Sequence, residues 1–517
     1  MVRRPLVGLS LSVVAGMLAG ASGLFPLHVL AGAAAIFLVF ALLGFRTKHS
    51  GWLVLGAVAM VSACRFVVGS ATVFPAEINS VSARLPLVEV QVIGRMAGPP
   101  NFYEYRSGGT GAWVFPLACE GMQMDGRWQR RSGRIQVRVF DAPPEGVGDY
   151  GARMLLSGEL RKRTYPGGEP VEMAASAKSG CITLSEPSPF SPLAWGQRLR
   201  EGAAQNLSKG MAVHADQLAV YKALLLGYRK AIPQEINQQF RNTGTMHIFA
   251  ISGLHVGMLG LFIIIVLKTA GVPRDWWGAG LFPLLLVFVC ATGMKSSALR
   301  ALTMATVYVS APLFRRKPDV PTSIAFSATL LLWLKPAEIL SAGFIYSFVV
   351  VSFLVMAFAA LPDGALVRWQ GWRRKVWAYV ASLVITSAAA FIASMPLSAL
   401  FFGSFSPVSL LGNLVVVPLA FCIVLSGWLS ILLPFASEIF NHAGLVFINA
   451  LLAGVGFFAD LPAAHWKVSV PPRLAILFWY IGWISFLVSA RNGRQRVAAL
   501  SYALLAIVWA TVPALLF

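Results

Sequence analysis

The sequence predicts a polytopic α-helical membrane protein of about 13 spans that carries one small inserted all-β, OB-like domain outside the membrane. Three observations predict it. Hydrophobic residues make up 57% of the 517 and charged residues only 12%, where soluble domains carry about 25% charged residues. Apolar runs of the roughly 20 residues that a helix needs to cross ~30 Å of hydrocarbon recur along nearly the whole chain. One stretch, from 71 to 244, breaks that pattern and is polar and rich in Gly and Pro.

The first three spans are expected near 5–24, 26–45 and 51–70, so residues 1–70 form an N-terminal three-helix segment. The opening MVRRPLVGLSLSVVAGMLAG has the basic start and apolar run of a signal peptide. Two more apolar runs follow at once without a folded region between, so it is read as a retained span. Residues 71–190 alternate: Val88, Val90 and Val92; Ile135, Val137 and Val139; Met154 and Leu156. Period two predicts half-buried strands, and 113–119 and 181–184 supply two more. Five short strands between Gly/Pro turns suit an OB-like barrel, with a small sandwich as the alternative. Residues 191–244 turn helical and form an amphipathic connector. In LAVYKALLLGY, Leu218, Tyr221, Leu225 and Tyr228 fit either a surface helix leading back to the membrane or a packing helix. From 245 to 517 about ten spans are expected: 245–269, 277–294, 297–314, 320–334, 338–361, 376–401, 407–434, 439–459, 473–490 and 497–517. The run at 320–334 is short enough to be re-entrant or tilted. The run at 407–434 contains Pro418 and predicts a break or kink.

The formal charge of +21 fits two readings, a nucleic-acid surface or basic cytoplasmic loops. With Arg3 and Arg4 in the cytoplasm, the loop holding Arg46 and Lys48 is also inside, and 71–244 lies outside. The basic loops at 268–274, 315–317, 368–375 and 491–496 then all fall inside, as the positive-inside rule requires. Cys64, Cys290 and Cys422 lie in apolar runs as fillers. Cys119 and Cys181 lie in the insert, where an extracytoplasmic setting permits a disulfide, provided that their Cα atoms come within about 7 Å.

The most unusual segment is ALLLGYRKAIPQEINQQFRNTGTMHIFAISGLHVGMLG, residues 223–260. A polar stretch runs straight into an apolar span that holds His247, Ser252, Gly253, His255 and Gly257. Ionisable residues in a span face an interior cavity or a partner, or are satisfied by carbonyls at the helix end. Ser252 and His255 share a helix face. Gly253 and Gly257 form a small-xxx-small pair that allows a neighbouring helix to approach closely. No Asp or Glu lies near the two histidines, so no metal is expected here. A Ser252–His255 nucleophile and base lacks an orienting carboxylate.

HIFAISGLHVGMLG resembles the signature of the ComEC family of competence proteins, inner-membrane channels for transforming DNA. ATGMKSSALRALTM resembles a second family segment, with Ser296, Ser297 and Arg300 at matching places. AEILSAGFIYSFVVV resembles a third, with Ile345, Tyr346 and Ser347 where the family often has Gln-Leu-Ser. MPLSALFFGSFSPVSLLGNLVVVPLA resembles a fourth, with Pro396, Phe402, Asn413 and Pro418 matching.

The resemblance covers roughly 220–425 and implies a non-enzymatic channel in the bacterial cytoplasmic membrane. That channel passes single-stranded DNA inward. Its implied partners are a competence DNA receptor, a cytoplasmic helicase-like ATPase and a separate nuclease, with no cofactor. Oligomerisation stays open.

Under that resemblance, Lys295 and Arg300 contact phosphate. His247, Ser252, His255, Ser296, Ser297 and Asn413 line or shape the path. OB-folds hold single strands by basic grooves and stacked aromatics, and the insert offers Arg127, Arg130, Arg131, Arg134 and Arg138 near Trp113, Trp128, Phe102, Tyr103 and Tyr105. The plainer reading is a solvated basic strand with core aromatics. Many family members end in a metallo-β-lactamase-like domain with a His-x-His-x-Asp-His cluster. None of the seven histidines is so arranged, so the nuclease is expected to be separate. The alternative function is a transporter or channel for another solute on the same scaffold, or a structural relative. The scarcity of carboxylates in the spans argues against proton coupling.

Overall fold

The computed structural model describes residues 5–24, 26–43, 50–71, 86–98, 100–104, 111–124, 126–142, 150–162, 171–176, 180–187, 192–250, 253–361, 372–462, 464–492 and 497. Tyr105, Ser252 and nearly all of the expected span at 497–517 lie outside the described residues. The chain divides into a helical unit, Met1–Phe66 with Asn206–Leu285 and Ser296–Phe517, and a β-rich unit, Val67–Gln205 with Leu286–Lys295.

Three helices open the chain: α1 (Pro5–Ala21), α2 (Leu27–Leu43) and α3 (Ser50–Ala71). Gly16 of α1 meets α3 backbone to backbone. A Cβ there would lie 1.9 Å from the Ala59 carbonyl oxygen.

The β-rich unit is built from β1 (Leu87–Met96), β2 (Asn101–Glu104), β3 (Gly111–Met124), β4 (Arg127–Arg130), β5 (Arg134–Ala142), β6 (Arg153–Lys162), β7 (Val171–Ser176) and β8 (Cys181–Ser185). Hydrogen bonding runs β1-β3-β5-β7-β6 and returns from β6 to β1, so these five strands close on themselves as a small barrel. Every pairing around the ring is antiparallel except β5 with β7, which is parallel. Closure removes the open edges that a five-stranded sheet would expose. Alternate residues point inward: Val92, Phe115, Leu117, Ile135, Val137, Met154, Leu156, Val171 and Met173 form a core sealed from solvent. Gly158 has no room for a side chain, because a Cβ would sit 2.0 Å from the Ala174 carbonyl oxygen across the strand pair.

Four of the five expected strands are in the ring, and one is not. The fifth ring strand is β7, VEMAAS, whose alternation of buried Val171, Met173 and Ala175 is carried partly by small residues of weak β preference. The expected strand at 181–184 is β8, which pairs only with β6 outside the ring. Cys119 and Cys181 are both free thiols, so the disulfide that an extracytoplasmic setting permits is not formed in the structure. Cys119 lies on β3 and Cys181 on β8, with β1 and β6 between those strands in the sheet. Burial pushes the Cys119 thiol up to about 12 and the Cys181 thiol up to about 11.

After the barrel come α4 (Pro192–Ser208), α5 (Ala215–Leu226), α6 (Gln234–Asn242), α7 (Gly253–Thr269), α8 (Trp277–Ala291), α9 (Ser296–Ser310), α10 (Val320–Leu334), α11 (Ala342–Ala360) and α12 (Trp372–Phe402). A short strand β9 (Ser404–Phe405) precedes α13 (Ser409–Leu432) and α14 (Ser437–Ala459). It pairs with β10 (Trp466–Lys467) before α15 (Arg473–Arg491). Six described segments are long and apolar enough to cross a bilayer: Arg274–Ala291, Ala342–Ala360, Lys375–Phe402, Ser409–Leu432, Pro434–Ala459 and Arg473–Arg491. Five shorter apolar helices stand where other spans were expected, including Gly253–Thr269 and Val320–Leu334. A count of thirteen is therefore not reached among the described residues. Pro418 lies inside α13, which remains one helix from Ser409 to Leu432.

α5 decides between the two readings of its segment. Val220, Tyr221, Ala223 and Leu224 are wholly buried, so α5 is a packing helix. Glycines on its neighbours make the room. A Cβ on Gly427 of α13 would lie 2.3 Å from Leu225, and one on Gly444 of α14 would lie 2.9 Å from the Tyr221 ring.

Candidate functional site

The segment 223–260 folds by satisfying its own backbone. α5 stops at Gly227, whose φ of 76° is the left-handed conformation that glycine adopts without strain. Its N–H donates to the Ala223 carbonyl, and Tyr228 N–H to that of Lys222. The remaining carbonyls of a last helical turn need outside partners. The His255 ring supplies one, hydrogen-bonding the Leu224 carbonyl. Arg229 Nε donates to the Phe249 carbonyl at 2.6 Å, which ties the loop to the 3-10 turn Met246–Phe249. Thr243 and Thr245 share a hydroxyl contact of 2.7 Å. Gly244, at φ 67°, turns the chain against Ser406 and Ser409 at the start of α13.

This geometry separates the signature residues. His255 is 3% exposed and works as a tie between α5 and α7. His247 is exposed, with Nδ1 3.3 Å from the Gly244 carbonyl. Gly257 corrects the close-packing expectation, since a Cβ there would meet nothing within 4 Å. Gly253 does face a neighbour, at an ordinary 3.7 Å from Ala301 of α9. Tighter helix contacts lie at other glycines, among them Gly16, Gly278 and Gly427.

A second cluster forms where α9, α10, the 3-10 turn Pro336–Leu340 and α11 meet. Arg300 is 4% exposed, and its Nε has no hydrogen-bond partner among the described residues. Its guanidinium lies beside Gly343, whose Cβ would come 3.9 Å from Nη2. The nearby carboxylate is Glu338, whose charge acts on Arg300. Glu338 accepts from Ser296 Oγ at 3.0 Å and from Ser341 Oγ at 3.1 Å. Ser341 also caps α11, accepting from the Phe344 N–H. One turn deeper, Thr303 and Ser327 share a hydroxyl contact of 2.5 Å. Ser297 is half-buried and Lys295 exposed. Sequence reasoning found Ser296 and Arg300 but missed Glu338, Ser341, Thr303 and Ser327. Glu338 carried a signal, being the one carboxylate in the AEILSAGFIYS segment. On α13, the Asn413 side-chain oxygen is buried without a hydrogen-bond partner among the described residues.

On the barrel, β4 is exposed along its whole length. Arg127, Trp128, Arg130 and Arg134 are open to solvent, while Arg131 Nη2 donates to Gln129 at 2.8 Å. Arg138 is 3.0 Å from Glu172, and Trp113 packs partly buried on the barrel core. Phe102 and Tyr103 lie on β2. Glu120 bridges Arg95 at 2.9 Å and Arg153 at 2.8 Å. Burial works against its charge, but the two arginines win and hold the carboxyl below its usual range.

Apolar helices long enough to span, a small closed β-barrel inserted among them in chain order and a buried Arg–Glu–Ser cluster define a multi-pass membrane protein with an inserted β domain. The profile of the "Competence protein" family matches residues 224–492, slightly more than half of the chain, and holds both polar clusters. The chain belongs to this family, the ComEC family of competence proteins. It is similar to ComE operon protein 3 of Bacillus subtilis (strain 168), 29% identical over 243 residues, which is 46% of this chain and 30% of that one. It is also similar to the uncharacterized protein YcaI of Escherichia coli (strain K12), 27% identical over 283 residues, 52% of this chain and 34% of the relative. An uncharacterized protein of Aquifex aeolicus (strain VF5) is 27% identical over 278 residues, 52% of this chain and 61% of the relative. The matches thus span a third to three-fifths of these relatives. No solved structure matches.

Proposed function

We propose that this chain is the inner-membrane component that passes one DNA strand into the cytoplasm during natural competence, without itself being an enzyme. Family membership supports the context. The observation that carries the mechanism is where the polar groups stand. α13 packs on α7, α7 on α9, and α9 on α11. Under the topology that places the basic loops in the cytoplasm, all four helices begin on the extracytoplasmic side. His255, Ser296, Arg300, Ser341 and Asn413 all belong to these opening turns or cap them. Four helix N-termini at one end favour an anion, and Arg300 stands there with its charge partly offset by Glu338. A phosphate backbone is the ligand that such an entrance suits.

The strand order of the barrel supports the rest. Numbering its five ring strands in chain order gives 1-2-3-5-4-1 with the third and fifth parallel, the order of an OB-fold. Its exposed Arg127, Trp128, Arg130 and Arg134 offer the charge and stacking that hold single strands. A DNA receptor outside, a helicase-like ATPase inside and a separate nuclease complete the proposed pathway, with further spans bringing the count towards thirteen.

Deleting the gene in a naturally transformable host tests the proposal. Uptake of labelled DNA into the cytoplasm should fail and should return with the intact gene. Normal uptake in the deletion strain rejects it. Glu338 favours a second reading, coupled transport of a small solute, because an acidic group within the helical block is what coupling uses. Flux into liposomes of oligonucleotide against small anions separates the two.

A further inference from the structure

α4 holds none of the DNA-handling residues, and it is fastened on two sides. Gly196 presses on the C-terminal end of α8, where a Cβ would come within 2.8 Å of the Cys290 backbone. Gln197 reaches the barrel, its Oε1 accepting from the Tyr150 N–H at 2.8 Å. Helix geometry, about 100° per residue, places these two contacts on adjacent sides of α4. Trp195 and Leu199 share a third side, about 40° apart. Both are large, apolar and open, 49% and 40% exposed. Glu201 and Gln205 occupy the remaining side and are exposed polar residues.

The position of that apolar side follows from α8. Arg274–Ala291 is 18 residues long and apolar enough to cross a bilayer, with almost no length to spare. Cys290 and Ala291 therefore mark the boundary between hydrocarbon and headgroups. A helix held against those two residues lies at that boundary, and tryptophan is the side chain most at home there. The charge-based topology puts this end of α8 on the same face of the membrane as the barrel, as the Gln197 tie requires.

We infer that α4 is an interfacial helix whose Trp195–Leu199 side is seated in the outer leaflet of the bilayer, holding the barrel at the membrane surface. The partner is a phospholipid surface, bound through apolar burial of the kind that seats in-plane helices.

The test uses the full chain reconstituted in phosphatidylcholine/phosphatidylglycerol vesicles, with its five cysteines replaced and a nitroxide placed by Leu199→Cys, Gln205→Cys or Phe282→Cys. Phe282 is 44% exposed in the middle of α8 and reports whether that helix crosses at all. At 199 and 282 the label should collide more with oxygen than with a water-soluble nickel complex, and at 205 the ratio should invert. Nickel preference at 199 beside oxygen preference at 282 overturns the inference, as does a label at 199 shielded from both, which means that protein covers it. Water exposure at 282 overturns it together with the crossing of α8. A photocrosslinking benzoylphenylalanine at Trp195, with every native cysteine kept, should join to lipid. Crosslinks to protein alone overturn the inference independently of the cysteine replacements.

Discussion

Replacing Glu338 with Gln isolates the polar cluster, because it keeps the size of the side chain and deletes its charge. The carboxylate accepts two serine hydroxyls, at 3.0 and 3.1 Å. Side-chain hydrogen bonds within membrane-protein helical blocks are worth about 0.6 kcal/mol on average and about 1.7 at most. Gln keeps one acceptor oxygen, so this part of the loss is about 1 kcal/mol. The larger part is the neighbour. Arg300 is 4% exposed and loses the anion that offsets its buried charge, a situation that costs about 3–5 kcal/mol when a tight pair is broken. Arg300 and Glu338 share no contact within 4 Å among the described ion pairs, so about 1–2 kcal/mol is the appropriate share. Glu338→Gln should therefore destabilise the protein by about 2–3 kcal/mol. Arg300→Met added to it should recover much of that loss, giving a coupling of about 1–2 kcal/mol. Unfolding of the single and double variants in mixed detergent micelles measures this. Additivity within about 0.5 kcal/mol would show that the cluster is a set of separate helix caps and that Arg300 does not sense the carboxylate.

Other consequences are open to measurement. Gly16→Leu forces a side chain into the Ala59 carbonyl and should lower thermal stability by more than about 2 kcal/mol, whereas Gly257→Leu, with nothing within 4 Å, should change it by less than about 0.5; equal effects would contradict the packing described. The lowered Glu120 carboxyl gives the barrel a contribution that is complete above the ordinary carboxylate range and is lost as pH falls through the depressed folded value. Because the pair is partly exposed, that contribution is below about 1 kcal/mol, and Glu120→Gln should flatten the acid limb of the stability curve without altering it near neutrality. Cys119 and Cys181, held protonated at pH 8, should alkylate slowly in the folded protein and completely after unfolding without reductant, as peptide mass analysis will show; labelling that requires prior reduction would restore the disulfide. Arg127→Ala and Arg130→Ala should each reduce the salt dependence of single-strand binding by about 0.7 in log–log slope, while Arg138→Ala, already paired with Glu172, should change it much less.

Much of this protein is determined by residue order alone. Hydropathy and the distribution of basic loops define the membrane class, because a bilayer reads only length, apolarity and charge. Period-two alternation reveals three of the five ring strands for the same local reason, and the segment at 113–119 supplies a fourth. The signature around His255 and Arg300 identifies the family, since it is itself a pattern of residues.

Tertiary structure decides the rest. β7, VEMAAS, is half alanine and serine, which have no strong preference of their own, and becomes a strand because β5 and β6 flank it. α5 reads equally as a surface or a packing helix until Gly427 and Gly444, some two hundred residues later, let two helices close over it. His255 is a tie because a free carbonyl at the end of α5 happens to face it, and Glu338 matters because folding brings it near Arg300. Each is a relation between residues far apart in the chain, which local pattern does not encode and only packing creates.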